Sequence, residues 1–196
     1  MSATGAAPLL AIFVGGASSR MGGKPKGLLR TSDGRSIVER WRDLATQLDL
    51  RSVLVGDARA YAHLEMDSVG DEMSGAGPLA GLCGVLRTRA DAQIIAVACD
   101  MPFVTAALLR RLAFAESDAT DAPDAPILAP RRDGRYEPLF ARYDRARVLP
   151  VAERQLAGGD RSLQKLLRDA GARDFVLSAD EWPLLADWDQ PADAGL

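Results

Sequence analysis

Leu9-Leu10-Ala11-Ile12-Phe13-Val14-Gly15-Gly16-Ala17-Ser18-Ser19-Arg20-Met21-Gly22-Gly23-Lys24-Pro25-Lys26 joins two kinds of sequence. Its opening, Leu9-Leu10-Ala11-Ile12, is an unbroken apolar run and reads as a buried strand. Residues 15–26 then hold four glycines and three cations. Glycine lets the backbone approach an anion closely, with amide N–H groups free to point at phosphate oxygens. Arg20, Lys24 and Lys26 add positive charge at the same place. No Gly-Lys-Ser/Thr occurs, because Lys24 is followed by Pro25, and the glycine spacing does not fit G-x-G-x-x-G. The stretch therefore reads as a strand feeding a nucleotide-phosphate turn of another type. The competing reading is a tight surface turn with solvated basic residues.

Working outward, strand-like and helix-like segments alternate, the signature of a sheet with helices on its faces. Ser36 and Glu39 form a capping-box pattern, and Ile37, Val38, Trp41, Leu44, Ala45 and Leu48 supply the apolar stripe of the helix it opens. Ser52-Val53-Leu54-Val55 reads as a short buried strand ending at Gly56-Asp57. The turn over residues 71–77 leads into Pro78-Leu79-Ala80-Gly81-Leu82, where Pro78 suits the first turn of a helix. Ile94-Ile95-Ala96-Val97-Ala98 reads as a central strand that stops at Cys99-Asp100-Met101-Pro102. Thr105 can cap the next helix, with Leu108, Leu109 and Leu112 inward. Residues 117–126 read as a mobile connector. Strands are expected at Ile127-Leu128-Ala129, Pro138-Leu139-Phe140-Ala141 and Phe175-Val176-Leu177, and helices over about 145–156 and 162–170. The expectation is one α/β domain over residues 1–196, with residues 1–7 disordered. Its sheet should be Rossmann-like, doubly wound and mostly parallel, with helices on both faces.

Length and composition agree. The chain has 196 residues, 47% apolar and 26% charged, enough for one substantial core. A net charge of −3 argues against a general nucleic-acid binder. Residues 20–30 carry four cations and no acid, 131–147 is rich in arginine, and 174–193 is acidic. Basic segments on an acidic protein suit a small polyanionic ligand better than a polymer. Cys83 and Cys99 each lie in an apolar run and read as buried reduced thiols, which fits the cytoplasm. The N-terminal residues have no basic region, and their apolar run is too short for a signal peptide or a membrane span.

In open α/β sheets ligands gather beyond the carboxyl ends of the strands. The glycine turn, the 71–77 turn and Asp100 all project there. An aspartate directly after a central strand is well placed to hold Mg²⁺, which takes one or two protein carboxylates plus substrate phosphates; the alternative is that Asp100 caps a turn. Lys26 and Arg20 would bind phosphates and steady charge developing in phosphoryl transfer. Lys24 reads as a solvated neighbour. Asp71 faces the ribose or the attacking group, or caps its own turn. His63, the only histidine, reads as a partly buried structural residue, so histidine acid–base catalysis is not expected. A phosphomonoester nucleophile needs no strong base, since its second pKa is about 6.

Three motifs together resemble the molybdenum cofactor guanylyltransferases, in the nucleotidyltransferase superfamily. They are Gly15-Gly16-(x)₃-Arg20-Met21-Gly22-(x)₃-Lys26, then Gly77-Pro78-Leu79-Ala80-Gly81, then Cys99-Asp100-Met101-Pro102-Phe103. Weaker matches occur at Glu137-Pro138-Leu139-Phe140-Ala141 and at Asp187-Trp188-Asp189-Gln190-Pro191-Ala192-Asp193. The resemblance implies that the terminal phosphate of molybdopterin attacks the α-phosphate of GTP, releasing pyrophosphate. It further implies nucleotide contacts at Phe13, Val14, Gly15, Gly16, Lys26, Asp71 and Asp100, with Gly77, Pro78 and Leu79 enclosing the guanine. Mg²⁺ falls on Asp100, and Asp189 is a second metal carboxylate or a helix cap. Cofactor-insertion proteins or molybdoenzyme chaperones are the implied protein partners, with neither nucleic acid nor membrane. Departures include Phe13-Val14 where Leu-Ala is common, and Gly56 where asparagine is common. The competing functions are a related enzyme using CTP or a sugar-1-phosphate acceptor, and a non-catalytic carrier of pterin or nucleotide.

Overall fold

The computed structural model describes residues 7–15, 25–70, 77–114 and 125–188. Its strands are β1 (Leu9–Phe13), β2 (Ser52–Val55), β3 (Ser68–Val69), β4 (Gln93–Ala98), β5 (Ile127–Ala129), β6 (Arg131–Arg132), β7 (Arg135–Tyr136), β8 (Phe140–Asp144) and β9 (Arg173–Asp174). Its α-helices are α1 (Ile37–Gln47), α2 (Pro78–Thr88), α3 (Ala106–Phe114), α4 (Arg145–Ala157) and α5 (Leu163–Asp169).

A seven-stranded sheet has the order β3-β2-β1-β4-β8-β5-β9, and β6 and β7 form a separate hairpin. Because strand residues alternate in direction, the two central strands feed two cores. Leu10 and Ile12 of β1 and Ile95 and Val97 of β4 pack with Trp41 of α1 and Leu108, Leu109 and Leu112 of α3. Leu9, Ala11, Phe13, Ile94 and Ala96 pack on the other face with Leu82 and Leu86 of α2, Val148 of α4 and Leu166 of α5. Helices thus cover both faces, as the doubly apolar central strands require.

β1, β2, β3 and β4 are mutually parallel neighbours, whereas β8 runs antiparallel to both β4 and β5. The sheet is therefore mostly parallel with one reversed strand. That reversal brings the start of β8 to the rim where β4 ends: the Ala98 amide donates to the Leu139 carbonyl at 2.9 Å.

The capping box is present, with Ser36 N–H donating to Glu39 Oε2 at 2.7 Å and Glu39 N–H to Ser36 Oγ at 3.2 Å. Thr105 Oγ1 accepts from the Leu108 amide at 3.3 Å. Two strands differ from expectation. The strand expected over 138–141 starts at Phe140 and runs to Asp144, because Pro138 has no N–H for a ladder and the Phe140 amide turns back to the Glu137 carbonyl. The strand expected at Phe175-Val176-Leu177 lies at Arg173–Asp174. Phe175 makes the final bond to Ala129, after which Pro130 offers no donor, and Val176 is 76% exposed. Residues 1–6, and 117–124 of the expected connector, lie outside the described residues.

Candidate active site

From β1 the chain winds outward to β2 and β3, then returns to place β4 on the other side of β1. Such a reversal opens a crevice beyond the carboxyl ends of β1 and β4. The ladder persists one step past each strand: the Val14 amide donates to Val55 at 2.9 Å and the Cys99 amide to Phe13 at 3.1 Å. Asp100 follows immediately, and its carboxylate Oδ2 accepts from Lys26 Nζ at 3.0 Å. The two side chains are 23% and 19% exposed, so the pair is sheltered enough for strong electrostatics yet open to a ligand.

Several contacts hold this pair in place. Lys26 opens a 3-10 helix, Lys26–Leu28, directly after Pro25. Next to it Gly27 is buried so tightly that a Cβ there would lie 2.6 Å from Val38 Cγ2 and 2.8 Å from the Tyr61 hydroxyl oxygen. On the other side, the Trp41 indole donates to the Ala98 carbonyl at 3.1 Å. The Trp188 amide donates to the Asp100 carbonyl at 2.9 Å, and its ring meets Phe103 edge-on, centroids 5.9 Å apart. Burial, reinforced by the Asp100 charge, pushes the Cys99 thiol up to about 12, so Cys99 stays neutral near pH 7 and is no nucleophile.

Gly27→Ala is expected to destabilise the protein by about 1–3 kcal/mol through overpacking, and to lower activity by shifting Lys26. Chemical denaturation beside steady-state rates checks both effects. Unchanged stability would mean that Val38 and Tyr61 yield freely.

An acidic side chain reaches the same rim through the reversed β8, whose start meets the end of β4. Glu137 precedes that strand, and burial with nearby Asp187 raises its carboxyl above the usual range. Across the crevice, Gly77 caps α2 at φ 77° and ψ −176°, a conformation essentially restricted to glycine. Pro78 then occupies the first helical turn. Leu79 is fully buried in the core, so it can present only backbone to a ligand. Phe13 is likewise packed inward and its carbonyl is engaged by Cys99. A cavity of about 610 Å³ adjoins the ends of β2 and β3, lined in part by Gly56, Arg59, Tyr61 and Gly70. Tyr61 thus touches both this cavity and the Lys26 turn.

The structure brings together Phe13, Val14, Gly15, Lys26 and Asp100, with Gly77 and Pro78 at the start of α2. Gly16, Arg20, Lys24, Asp71 and Asp189 lie outside the described residues. His63 is exposed rather than partly buried. In its 3-10 helix, Arg59–Leu64, the inward positions three apart go to Tyr61 and Leu64. Tyr61 supports the Lys26 turn with no motif of its own in the sequence; the glycine directly after Lys26 is the one local signal of a close approach. Among the described residues, no group of three or more His, Cys, Asp or Glu side chains could hold a metal. No helix among them is long and apolar enough to cross a membrane.

A sheet reversal carrying a paired lysine and aspartate at its crevice places the chain among the doubly wound α/β proteins that bind ligands at a topological switch point. More narrowly, the chain belongs to the MobA-like NTP transferase domain family, which residues 10–176 match. A molybdenum cofactor guanylyltransferase from Pseudomonas putida is 36% identical over 166 residues, covering 81% of this chain and 82% of its own length. A probable molybdenum cofactor guanylyltransferase from Opitutus terrae is 33% identical over 203 residues, covering 98% of this chain and 96% of its own. Molybdopterin-guanine dinucleotide biosynthesis protein A from Archaeoglobus fulgidus shares the fold, with a TM-score of 0.75 at 23% identity over 95% of each chain.

Proposed function

We propose that this chain is a nucleotidyltransferase that moves GMP from GTP to the terminal phosphate of molybdopterin. A phosphate oxygen of the acceptor forms the new bond to the α-phosphorus, and the bond to pyrophosphate breaks. The product is molybdopterin guanine dinucleotide. The observation that carries this reading is the Lys26–Asp100 pair at the β1/β4 crevice in a chain whose relatives are named guanylyltransferases.

Lys26 holds a compact ammonium where triphosphate oxygens would lie and neutralises their charge. Asp100 suits a hard cation: it is a single carboxylate at a strand end, and a triphosphate supplies the remaining oxygens. We assign Mg²⁺ to it, with Asp189 as a second candidate carboxylate. Bound there, Mg²⁺ would neutralise the phosphates and favour departure of pyrophosphate. Val14 and Gly15 offer backbone to the nucleotide, with Arg20, Gly16 and Asp71 as further contacts by family likeness. The start of α2 at Gly77-Pro78-Leu79 encloses the base through its main chain. No histidine is needed, because a phosphomonoester is already ionised near neutral pH. Two buried free cysteines suit the reducing cytoplasm.

The test is calorimetric titration of GTP, CTP, ATP and UTP into the protein with Mg²⁺, followed by turnover with molybdopterin. Tight binding of GTP alone and release of pyrophosphate are expected. A preference for CTP would move the protein to a cytidylyl branch, and binding without turnover would make it a carrier.

A further inference from the structure

The β6–β7 hairpin breaks a pairing rule. Arg132 and Arg135 stand directly opposite each other across the Asp133-Gly134 turn, whose φ angles of 50° and 78° suit a tight hairpin. Directly opposed side chains leave the same face, and like charges so placed repel. Several surface arginines elsewhere meet acids: Arg35 with Asp43, Arg59 with Asp57, Arg87 with Glu153 and Arg89 with Asp67. In the hairpin the pairing is looser. The ion pair of Arg132 with Asp133 spans 3.8 Å, beyond hydrogen-bond reach. Its guanidinium lies instead over the Trp182 ring, 5.6 Å from the centroid. The Arg135 side chain makes no hydrogen bond or ion pair with the described residues, and its charge reaches Glu137 only at longer range. A guanidinium held over an aromatic face keeps N–H edges available for an anion. A local repulsion that the fold offsets only through a 3.8 Å contact with an exposed aspartate leaves both guanidinium groups open to an anionic ligand.

The hairpin also stands in the right place. β5 and β4 both pair with β8 and run the same way, so their carboxyl ends share one rim. They are two strand spacings apart, roughly 10 Å. The hairpin follows β5 at that rim, closed at its base by the Glu137 amide donating to the Pro130 carbonyl at 2.9 Å. Val14 and Gly15 leave β1 on one side of Asp100, and the hairpin follows β5 on the opposite, β8–β5 side. In-line displacement needs the attacking phosphate opposite the leaving pyrophosphate. A nucleotide on the β1 side leaves the hairpin side to the acceptor.

We infer that Arg132 and Arg135 form an anion-binding subsite for the acceptor, gripping an anionic group of that phosphorylated small molecule beside Trp182. This inference rests on the transfer reading above. The deciding experiment compares the wild type with R132Q/R135Q, using molybdopterin as the probe. It combines steady-state kinetics with quenching of Trp182 fluorescence, the W182F variant identifying that signal.

The double variant should raise the acceptor KM at least tenfold, with GTP affinity unchanged, and should abolish the quench. Its acceptor KM should also depend less on salt, since fewer charges are paired on binding. The melting temperature should hold or rise, because a repulsion is removed. An unchanged acceptor KM and quench would overturn the inference. So would absence of a Trp182 quench in the wild type, or a melting temperature lowered by several degrees, which would assign the arginines to the fold. If the wild type showed no transfer but its quench were lost in the variant, the subsite would stand and the transfer reading would fall.

Discussion

Replacing Asp100 by alanine is expected to lower kcat by on the order of 10²–10³, the usual cost of losing a preorganised charge partner. The fold should survive. Only the side chain is lost, while the Asp100 carbonyl that accepts from Trp188 remains. The broken pair with Lys26 is partly exposed, 23% and 19%, so its loss should cost no more than about 1 kcal/mol. Asp100→Asn keeps the shape and removes the charge, and should lose nearly as much activity. Initial rates of pyrophosphate release beside a melting curve decide the matter. A kcat within threefold of wild type would take Asp100 out of the chemistry.

Lys26→Ala should lower kcat/KM for GTP by on the order of 10², through lost stabilisation of phosphate charge. Lys26→Arg should restore little, because a broad guanidinium does not replace a compact ammonium. Space is also short there, with Gly27 pressed against Val38 and Tyr61. Since Lys26 and Asp100 touch each other, their effects should not multiply. The K26A/D100A double variant should therefore lose less than the product of the single losses. A strictly multiplicative result would show that the 3.0 Å pair is not a working unit, and normal kcat/KM in Lys26→Ala would move the site elsewhere.

Much of the fold was legible because its causes are local. Ser36 and Glu39 announce their helix through a capping exchange within four residues. Thr105 does the same for α3, and the apolar runs at Leu9–Ile12 and Ile94–Ala98 announce strands buried on both faces. Site residues were legible where they sit on turns directly after such strands, as Gly15 and Asp100 do. Boundaries failed where a neighbour decided them. The last strand stops at Asp174 because its partner β5 runs into Pro130, and His63 is outside because Tyr61 and Leu64 took the inward positions.

The sequence by itself determined the elements, the glycine turn and the residue types that the chemistry needs. Those follow from backbone preferences and apolar periodicity over a few residues. Only the tertiary structure decided that Lys26 reaches Asp100 across 74 positions, and that a reversed β8 delivers Glu137 to the same rim. It also decided that Arg132 and Arg135 face one another with no acid within hydrogen-bond reach while Trp188 bonds to Asp100. Those contacts depend on strand order and direction, which are set by the summed burial of two cores and written in no single segment.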